Sequence, residues 1–422
     1  MIAAGYRYFF YPLAFLLLQS LRPFLNDKTK EMIADKNGDF FCVSPGRSRT
    51  EIAELRPFWI HAASGEIEYA RPVIRELRKQ FPRVPVIVTY SSPSAKKILQ
   101  GLPEIAAWGA LPWDQRSRCR AFLQAWRPRC LLIARTDVWP VMAETCRREK
   151  IPSLLFSATF AENSSRLDGI SGRITTWALN SLREIQCVSQ EDLQQLGRLP
   201  VRTPVRVCGD TRFEQVFYRL ENPKPLKESL RPAATAVLVA GSTWPEDEQV
   251  LIPAFRSVKS RCKLVLAPHE IQSAHLEAIE ALLCQNGLTF CRYSRASEWK
   301  TEDVLIVDEV GILAELYTWG TFSFVGGSFR KQVHSVMEPL AAGLPVLVGP
   351  FHANNREALE FKNQRCEDYP IVQEVKTSAE LALCLENSIR KIPASFAAAL
   401  KQTLAENRSS TENVIRWCEQ AT

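Results

Sequence analysis

From Phe58 onward, short apolar runs alternate with amphipathic stretches, and this alternation restricts the fold more than any other feature of the chain. It reads as repeated β-α units feeding a parallel sheet. Strands are expected at Phe58–Ala62, Val84–Tyr90, Cys130–Ala134, Ser153–Phe156, Glu184–Val188 and Val205–Cys208. After the first, Ile67, Ala70, Val73, Ile74, Leu77 and Phe81 recur at the three-to-four spacing of a helix with one buried face. Ser92 and Pro93 supply a cap and a first helical residue for the next.

A Pro- and charge-rich stretch containing Asn222-Pro223-Lys224-Pro225 reads as a linker, after which a second series opens. Its expected strands are Val237–Ala240, Lys263–Ala267, Val304–Val307, Thr321–Val325 and Val346–Val348, with helices such as Glu246–Ser260 and Ala274–Gln285 between them. A chain of 422 residues exceeds what one core usually serves. The expected division is an N-terminal segment 1–25, a first domain 26–216, a linker 217–235 and a second domain 236–422. Two doubly wound α/β domains facing a cleft would gather ligands outside the carboxyl ends of their strands.

The second series holds the clearest ligand signal. Phe324-Val325-Gly326-Gly327-Ser328-Phe329 leads into Val333-His334-Ser335-Val336-Met337-Glu338-Pro339 and then Leu344-Pro345-Val346-Leu347-Val348. A Gly-Gly turn after a strand lets backbone N–H groups approach a phosphate, and a helix start adds donors and a positive dipole end. Glu338 is then placed for ribose hydroxyls. Ser335 and Glu338 also spell Ser-x-x-Glu, the reciprocal capping box of ordinary helices.

The excess of 53 Lys and Arg over 46 Asp and Glu gives a net charge of +7, consistent with anionic substrates or an anionic membrane face. No stripe of interleaved basic and aromatic residues suggests nucleic acid. Twelve cysteines are scattered without a Cys-x-x-Cys pair, and the five histidines form no His-x-x-x-His pair, so buried free thiols are expected and a protein-bound metal is not.

Between Tyr8 and Leu18 every residue is apolar, aromatic or proline. A bilayer span takes about twenty apolar residues. The run is shorter and holds Pro12, with no small-x-small cleavage site after it, so an interfacial anchor is expected. Tyr6, Tyr8, Phe9, Phe10 and Tyr11 would sit at headgroup depth, with Arg7 and Arg22 reaching phosphates. A helix packed on the first domain and a tilted insertion from Ile2 to Leu25 are the alternatives.

Trp59-Ile60-His61-Ala62-Ala63-Ser64-Gly65-Glu66, Thr136-Asp137-Val138-Trp139-Pro140, Gly209-Asp210-Thr211-Arg212-Phe213, Ala240-Gly241-Ser242-Thr243-Trp244, Ala267-Pro268-His269, Asp308-x-x-Gly311-Ile312-Leu313 and the Gly-Gly segment follow one another in the order of known landmarks. Together they resemble the transferases that attach 3-deoxy-D-manno-octulosonic acid (Kdo) to lipid A, over most of the chain. The resemblance implies two Rossmann-like domains of the B-type glycosyltransferase fold, CMP-Kdo as donor and a lipid A precursor as acceptor. It also implies no metal or other cofactor, and anchoring at the cytoplasmic face of the bacterial inner membrane.

It further implies site roles. Glu66 would be the general base, with Glu68 as the fallback, and Ser64, Gly65 and Asp137 would bind acceptor; Arg135, after a strand end, has a guanidinium suited to a lipid A phosphate, a surface ion pair being the alternative. Ser242, His269, Gly326, Gly327, Ser328, Ser335, Glu338 and Arg212 would bind donor, with Arg330 or Lys331 near its phosphate. Three departures from the family pattern stand out. The loop before Glu66 is one residue shorter, Arg135 replaces a glutamate, and Pro268 replaces an arginine before His269. Other readings are a UDP-sugar transferase or nucleotide-sugar epimerase of the same fold, or a non-catalytic nucleotide-binding paralogue.

Overall fold

The computed structural model describes residues 2–38, 41–233, 236–405 and 409–421. The chain divides into two compact units; the first runs to Gln215 and takes back the C-terminal helix, and the second begins at Val216.

In the first unit the strands are β1 (Phe41–Val43), β2 (Phe58–His61), β3 (Val86–Tyr90), β4 (Ala107–Ala110), β5 (Cys130–Ala134), β6 (Ser153–Ala158), β7 (Glu184–Cys187) and β8 (Val205–Val207). They form one sheet in the order β1-β4-β3-β2-β5-β6-β7-β8. The edge strand β1 is antiparallel to β4, and the pairs from β4 through to β8 are parallel. Alternate residues feed opposite faces, as the two-residue period of a strand requires. Phe58, Ile60, Val86 and Val88 enter one core, while Trp59 and Ile87 enter the other.

The second unit holds β9 (Val237–Thr243), β10 (Lys263–Pro268), β11 (Phe290–Arg292), β12 (Val304–Ile306), β13 (Phe322–Val325), β14 (Val346–Val348), a small hairpin β15 (Arg365–Cys366) and β16 (Tyr369–Pro370), and β17 (Val372–Glu374). Its main sheet is parallel throughout, ordered β11-β12-β10-β9-β13-β14-β17. Leu238 and Ala240 face one core, and Val237 and Val239 the other.

Three differences from the sequence expectation have local causes. Strand β4 is built from Ala107-Trp108-Gly109-Ala110, in which three small residues of little strand preference surround a single tryptophan, and it forms because β3 offers a ladder beside it. The expected linker begins as helix, since Thr211–Glu221 continues past Phe217; residues 234–235 at its other end lie outside the described residues. The helix Ser410–Ala421, expected with the second domain, packs in the first. Its Val414, Ile415, Trp417 and Cys418 share a core with Phe58, Ile60 and Ile74, because β2 and the helix Ile67–Gln80 leave an apolar surface for it to cover.

The N-terminal segment is helical: Ile2–Gly5, a π-helical turn Tyr6–Phe10, then Tyr11–Ser20, with Pro12 in the first turn of the last, where its missing N–H costs little. One side packs on the first unit, with Phe15 against Trp113 (ring centroids 4.9 Å apart) and Tyr6 against Trp177 (5.7 Å). The other side exposes Tyr8, Phe9, Phe10, Leu13, Leu16, Leu17, Leu21 and Phe24. Among the described residues no helix is long and apolar enough to cross a membrane. Arg7, expected to reach lipid phosphates, instead pairs with Glu144 and lies over Trp177.

Asp114 is the polar anchor of this contact. It is 2% exposed and accepts hydrogen bonds from Tyr6 Oη (3.1 Å), Val141 N (3.1 Å) and Met142 N (2.8 Å), while its own N–H donates to Tyr11 Oη (2.8 Å). The carboxyl thus ties the segment to the start of the helix Pro140–Arg148. Burial pushes its pKa up to about 6, against the pull of those donors and of Lys36.

A folded-state pKa above the ordinary carboxyl value stabilises at low pH, and the contribution is lost as pH rises through about 6. The protein is therefore expected to gain up to about 3 kcal/mol from this group between pH 7 and pH 4. Asp114→Asn should flatten that part of the pH–stability curve, measured by denaturant unfolding. Trp417→Ala is expected to destabilise the first unit by about 3–5 kcal/mol in the same assay.

Candidate active site

In the first sheet the strand order reverses between β2 and β5, the switch point at which open α/β sheets bind ligands. His61 ends β2, and Glu66 stands immediately before the helix Ile67–Gln80. The Glu66 carboxylate accepts from the Ser64 N–H at 3.0 Å, which folds the short loop onto itself and leaves the carboxylate half-buried. Ser64 Oγ meets Ser94 Oγ at 2.6 Å, tying this loop to the one after β3. Glu68, the fallback base, is held in an ion pair with Arg71 (3.1 Å). Gly65 is exposed.

Behind the loop lies a network that the sequence did not disclose. His61 is fully buried; its Nδ1 meets Thr89 O (3.1 Å) and Oγ1 (3.0 Å), and its Nε2 meets Asp137 Oδ2 (3.0 Å). The same Asp137 oxygen accepts from Ser91 Oγ at 2.7 Å. Burial pushes the Asp137 carboxyl up, but the His61 and Ser91 hydrogen bonds and the imidazole's charge outweigh it, holding it well below the usual carboxylate range. The carboxylate therefore stays ionised beside the loop that carries Glu66.

Arg135, directly after β5, adopts φ +68°, a left-handed conformation uncommon for a bulky residue. Its guanidinium lies 4.7 Å from the centre of the Tyr69 ring, and that of Arg212 lies 5.7 Å from it. Arg212, read as a donor ligand, thus shares an aromatic support with Arg135 inside the first unit, three residues along the helix from Glu66. Among the described residues Arg135 Nε is buried without a hydrogen-bond partner. Asp137 also borders a cavity of about 510 Å³ lined by Tyr6, Trp139, Phe160, Ile174 and Leu179, with Arg166 among its polar residues.

In the second sheet the switch point falls between β9 and β13, which places Ser242 and the Gly-Gly turn side by side. A Cβ on Gly326 would lie 2.3 Å from Ser242 O, and Gly327 has φ +78°, so neither position accepts a side chain. The anticipated phosphate cradle is not what the turn's N–H groups form. Gly327 N donates to Asp247 Oδ2 (2.7 Å) and Phe329 N to Asp247 Oδ1 (2.9 Å), and Trp244 N also reaches Oδ2 (2.9 Å). Asp247 is fully buried, an internal anion that already occupies these donors. Gly326 N is spent on Gly241 O, and the buried Ser328 hydroxyl donates to Val325 O.

The remaining expected donor ligands surround the turn. Ser242 has φ +55° and is half-exposed. His269 is exposed and stacks on Trp244 (4.8 Å) and on His334 (4.3 Å). Arg330 lies 4.0 Å above Trp244. Ser335 Oγ accepts from Met337 N (3.3 Å), and the helix Met337–Ala342 starts after Val336 without a side-chain cap, so the alternative capping box does not form. Glu338 stays half-buried, 4.0 Å from Arg219. Among the described residues no His, Cys, Asp and Glu side chains gather into a group able to hold a metal ion.

Sequence reasoning missed His61 as a partner of Asp137, and it missed Trp244, Asp247 and His334. The acidic run Glu246-Asp247-Glu248 after Trp244-Pro245 looks like ordinary helix-start chemistry, and nothing in it announces a role at a turn eighty positions away.

Two doubly wound units with polar groups collected at both switch points define a Rossmann-like α/β protein of the two-unit class. The fold is shared with UDP-GlcNAc 2-epimerase from Neisseria meningitidis (TM-score 0.61, 14% identity, 86% of this chain and 99% of that one). It is shared also with Anabaena HepE in complex with UDP (TM-score 0.54, 12% identity, 86% and 100%). At these identities the likeness establishes the fold alone. Residues 39–215 match the family described as 3-deoxy-D-manno-octulosonic-acid transferase (kdotransferase). The 3-deoxy-D-manno-octulosonic acid transferase of Rickettsia typhi is 28% identical over 71% of this chain and 65% of its own length, so the match spans just under two thirds of that relative. The transferase of the same name from Aquifex aeolicus is 25% identical over 79% of this chain and 86% of its own. The chain is a relative of the Kdo transferases, as its motifs implied.

Asp247→Asn keeps the size of the side chain but turns an NH₂ toward backbone donors that need an acceptor. It is expected to cost about 1–3 kcal/mol in denaturant unfolding. The same substitution should increase amide exchange at Gly327 and Phe329.

Proposed function

We propose that this protein is an inverting glycosyltransferase that moves Kdo from CMP-Kdo to a hydroxyl of a lipid A precursor. The observation that carries the reading is the position of Glu66 at the carboxyl end of β2, at the switch point of a domain that matches the Kdo transferase family. In this reading the Glu66 carboxylate takes the proton of the acceptor hydroxyl as that oxygen bonds to the anomeric carbon of Kdo. The bond from that carbon to the phosphate oxygen breaks, and CMP leaves with the electron pair. Attack opposite the leaving group inverts the centre.

Arg135 and Arg212 on Tyr69 present two guanidinium groups to acceptor phosphates. With Ser64 and Gly65 they form the acceptor side, and the cavity beside Asp137 has room for an apolar part of the lipid. Ser242, His269, Ser335 and Glu338 bind the nucleotide sugar, the last through ribose hydroxyls. Gly326, Gly327 and Ser328 shape the floor beneath it. No metal takes part in this reading. The exposed apolar side of the N-terminal helices rests on the cytoplasmic face of the inner membrane, with Arg22 reaching lipid phosphates.

The test is transfer by the purified full chain, with CMP-Kdo and a lipid A precursor, read by mass spectrometry. Product heavier by one or more Kdo units is expected, and its absence overturns the proposal. Glu66→Gln should lower kcat by about 100-fold or more while leaving CMP affinity within about twofold; near-normal turnover would remove Glu66 from the role of base.

A further inference from the structure

We propose that His334 offers its Nδ1–H as a fixed, neutral donor to the phosphate of the nucleotide held by the second unit, and that Trp244 is the positioning residue that sets this tautomer. The proposal rests on the reading of the second unit as the nucleotide-binding one.

The tautomer follows from chemistry. An indole nitrogen has only a proton to give, and Trp244 Nε1 lies 2.9 Å from His334 Nε2. Nε2 must therefore be the bare nitrogen of the imidazole, and the proton of the neutral ring is on Nδ1. The ring has little freedom to turn over. It is nearly coplanar with the Trp244 indole (interplanar angle 10°), and His269 stacks across it at 18°. Its Nε2–Cδ2 edge lies against the Gly-Gly turn, where a Cβ on Gly327 would stand 3.0 Å from Cδ2 and 3.3 Å from Nε2. The Nδ1 edge points the other way, and among the described residues no hydrogen bond to Nδ1 is found.

The surroundings say what that donor is for. An anion at the ends of β9 and β13 finds the N–H groups of Gly327 and Phe329 already committed to Asp247, so side chains must supply the donors. His334 stands next to that turn, half-buried, and Arg330 over the Trp244 ring contributes positive charge. Burial and the neighbouring His269 hold the His334 pKa down to about 4, which keeps the ring neutral and its bond from Trp244 intact through the physiological range.

The experiment uses the full chain with ¹⁵N-labelled histidine and CMP as the probe. Long-range proton–nitrogen correlation should show His334 as the Nδ1–H tautomer, and CMP should shift its Nδ1 signal. Trp244→Phe should move the ring toward the Nε2–H tautomer and weaken CMP binding by about tenfold, the scale of one hydrogen bond to a charged group. His334→Asn, whose amide nitrogen falls near the place of Nδ1, should retain affinity within about threefold, whereas His334→Gln, which places its amide near Nε2, should lose about tenfold.

An Nε2–H tautomer in the unaltered protein, or equal CMP affinity in the Asn and Gln variants, overturns the proposal while leaving nucleotide binding intact. Failure of the unaltered protein to bind CMP overturns it together with the reading on which it rests.

Discussion

The constraint on which the structure depends is that both sheets, parallel but for the edge strand β1, are covered on both faces. From Phe58 to His61, and from Val237 to Ala240, every strand residue is buried, and apolar side chains enter two cores in turn. Such a sheet has no wet face on which to build chemistry. Polar side chains gather at the carboxyl ends of the strands and in the loops that follow, and the strand order reverses there. Glu66, Arg135 and Asp137 at one switch point, and Ser242, Gly326 and Gly327 at the other, are where they are because the sheets leave nowhere else.

Buried and half-buried carboxyl groups then organise these regions, and each does so by accepting more than one hydrogen bond. Asp247 holds the Gly-Gly turn through Gly327 and Phe329 and its own helix start through Trp244. Asp137 joins the ends of β2, β3 and β5 through His61 and Ser91. Asp114 joins the N-terminal segment to the start of the helix Pro140–Arg148. A carboxylate removed from water is costly unless its lone pairs are filled, so these groups define their surroundings tightly. The turn that looks like an anion cradle is consequently a scaffold whose N–H groups at Gly327 and Phe329 are already taken by a buried carboxyl group.

The N-terminal helices pack on the first unit, one of the alternatives open at the level of sequence, and leave their other side apolar and exposed. Phe15, Tyr6 and Tyr11 bind the segment to the first unit, while Phe9, Leu13, Leu16 and Phe24 face outward. The pairing of Arg7 with Glu144 takes that guanidinium away from the lipid phosphates expected for it.

The sequence by itself determined the α/β rhythm, the two sheets and most of the strand positions, because a strand buried on both faces must be written as a continuous apolar run. It also marked where polar residues and glycines gather at the strand ends, since Glu66, Asp137, Ser242 and Gly326-Gly327 each follow such a run. It left β4 unmarked, because Ala107-Trp108-Gly109-Ala110 becomes a strand only when β3 lies beside it, and it left the docking of Ser410–Ala421 onto the first unit unmarked, because an amphipathic helix does not name the surface that it covers. Tertiary structure alone decided hydrogen-bond partnership. That Asp247 fills the turn eighty residues away, that His61 takes Asp137, and that Trp244 chooses the tautomer of His334 depend on distances and directions of a few ångströms. Spacing along a chain does not encode these until the strands are paired.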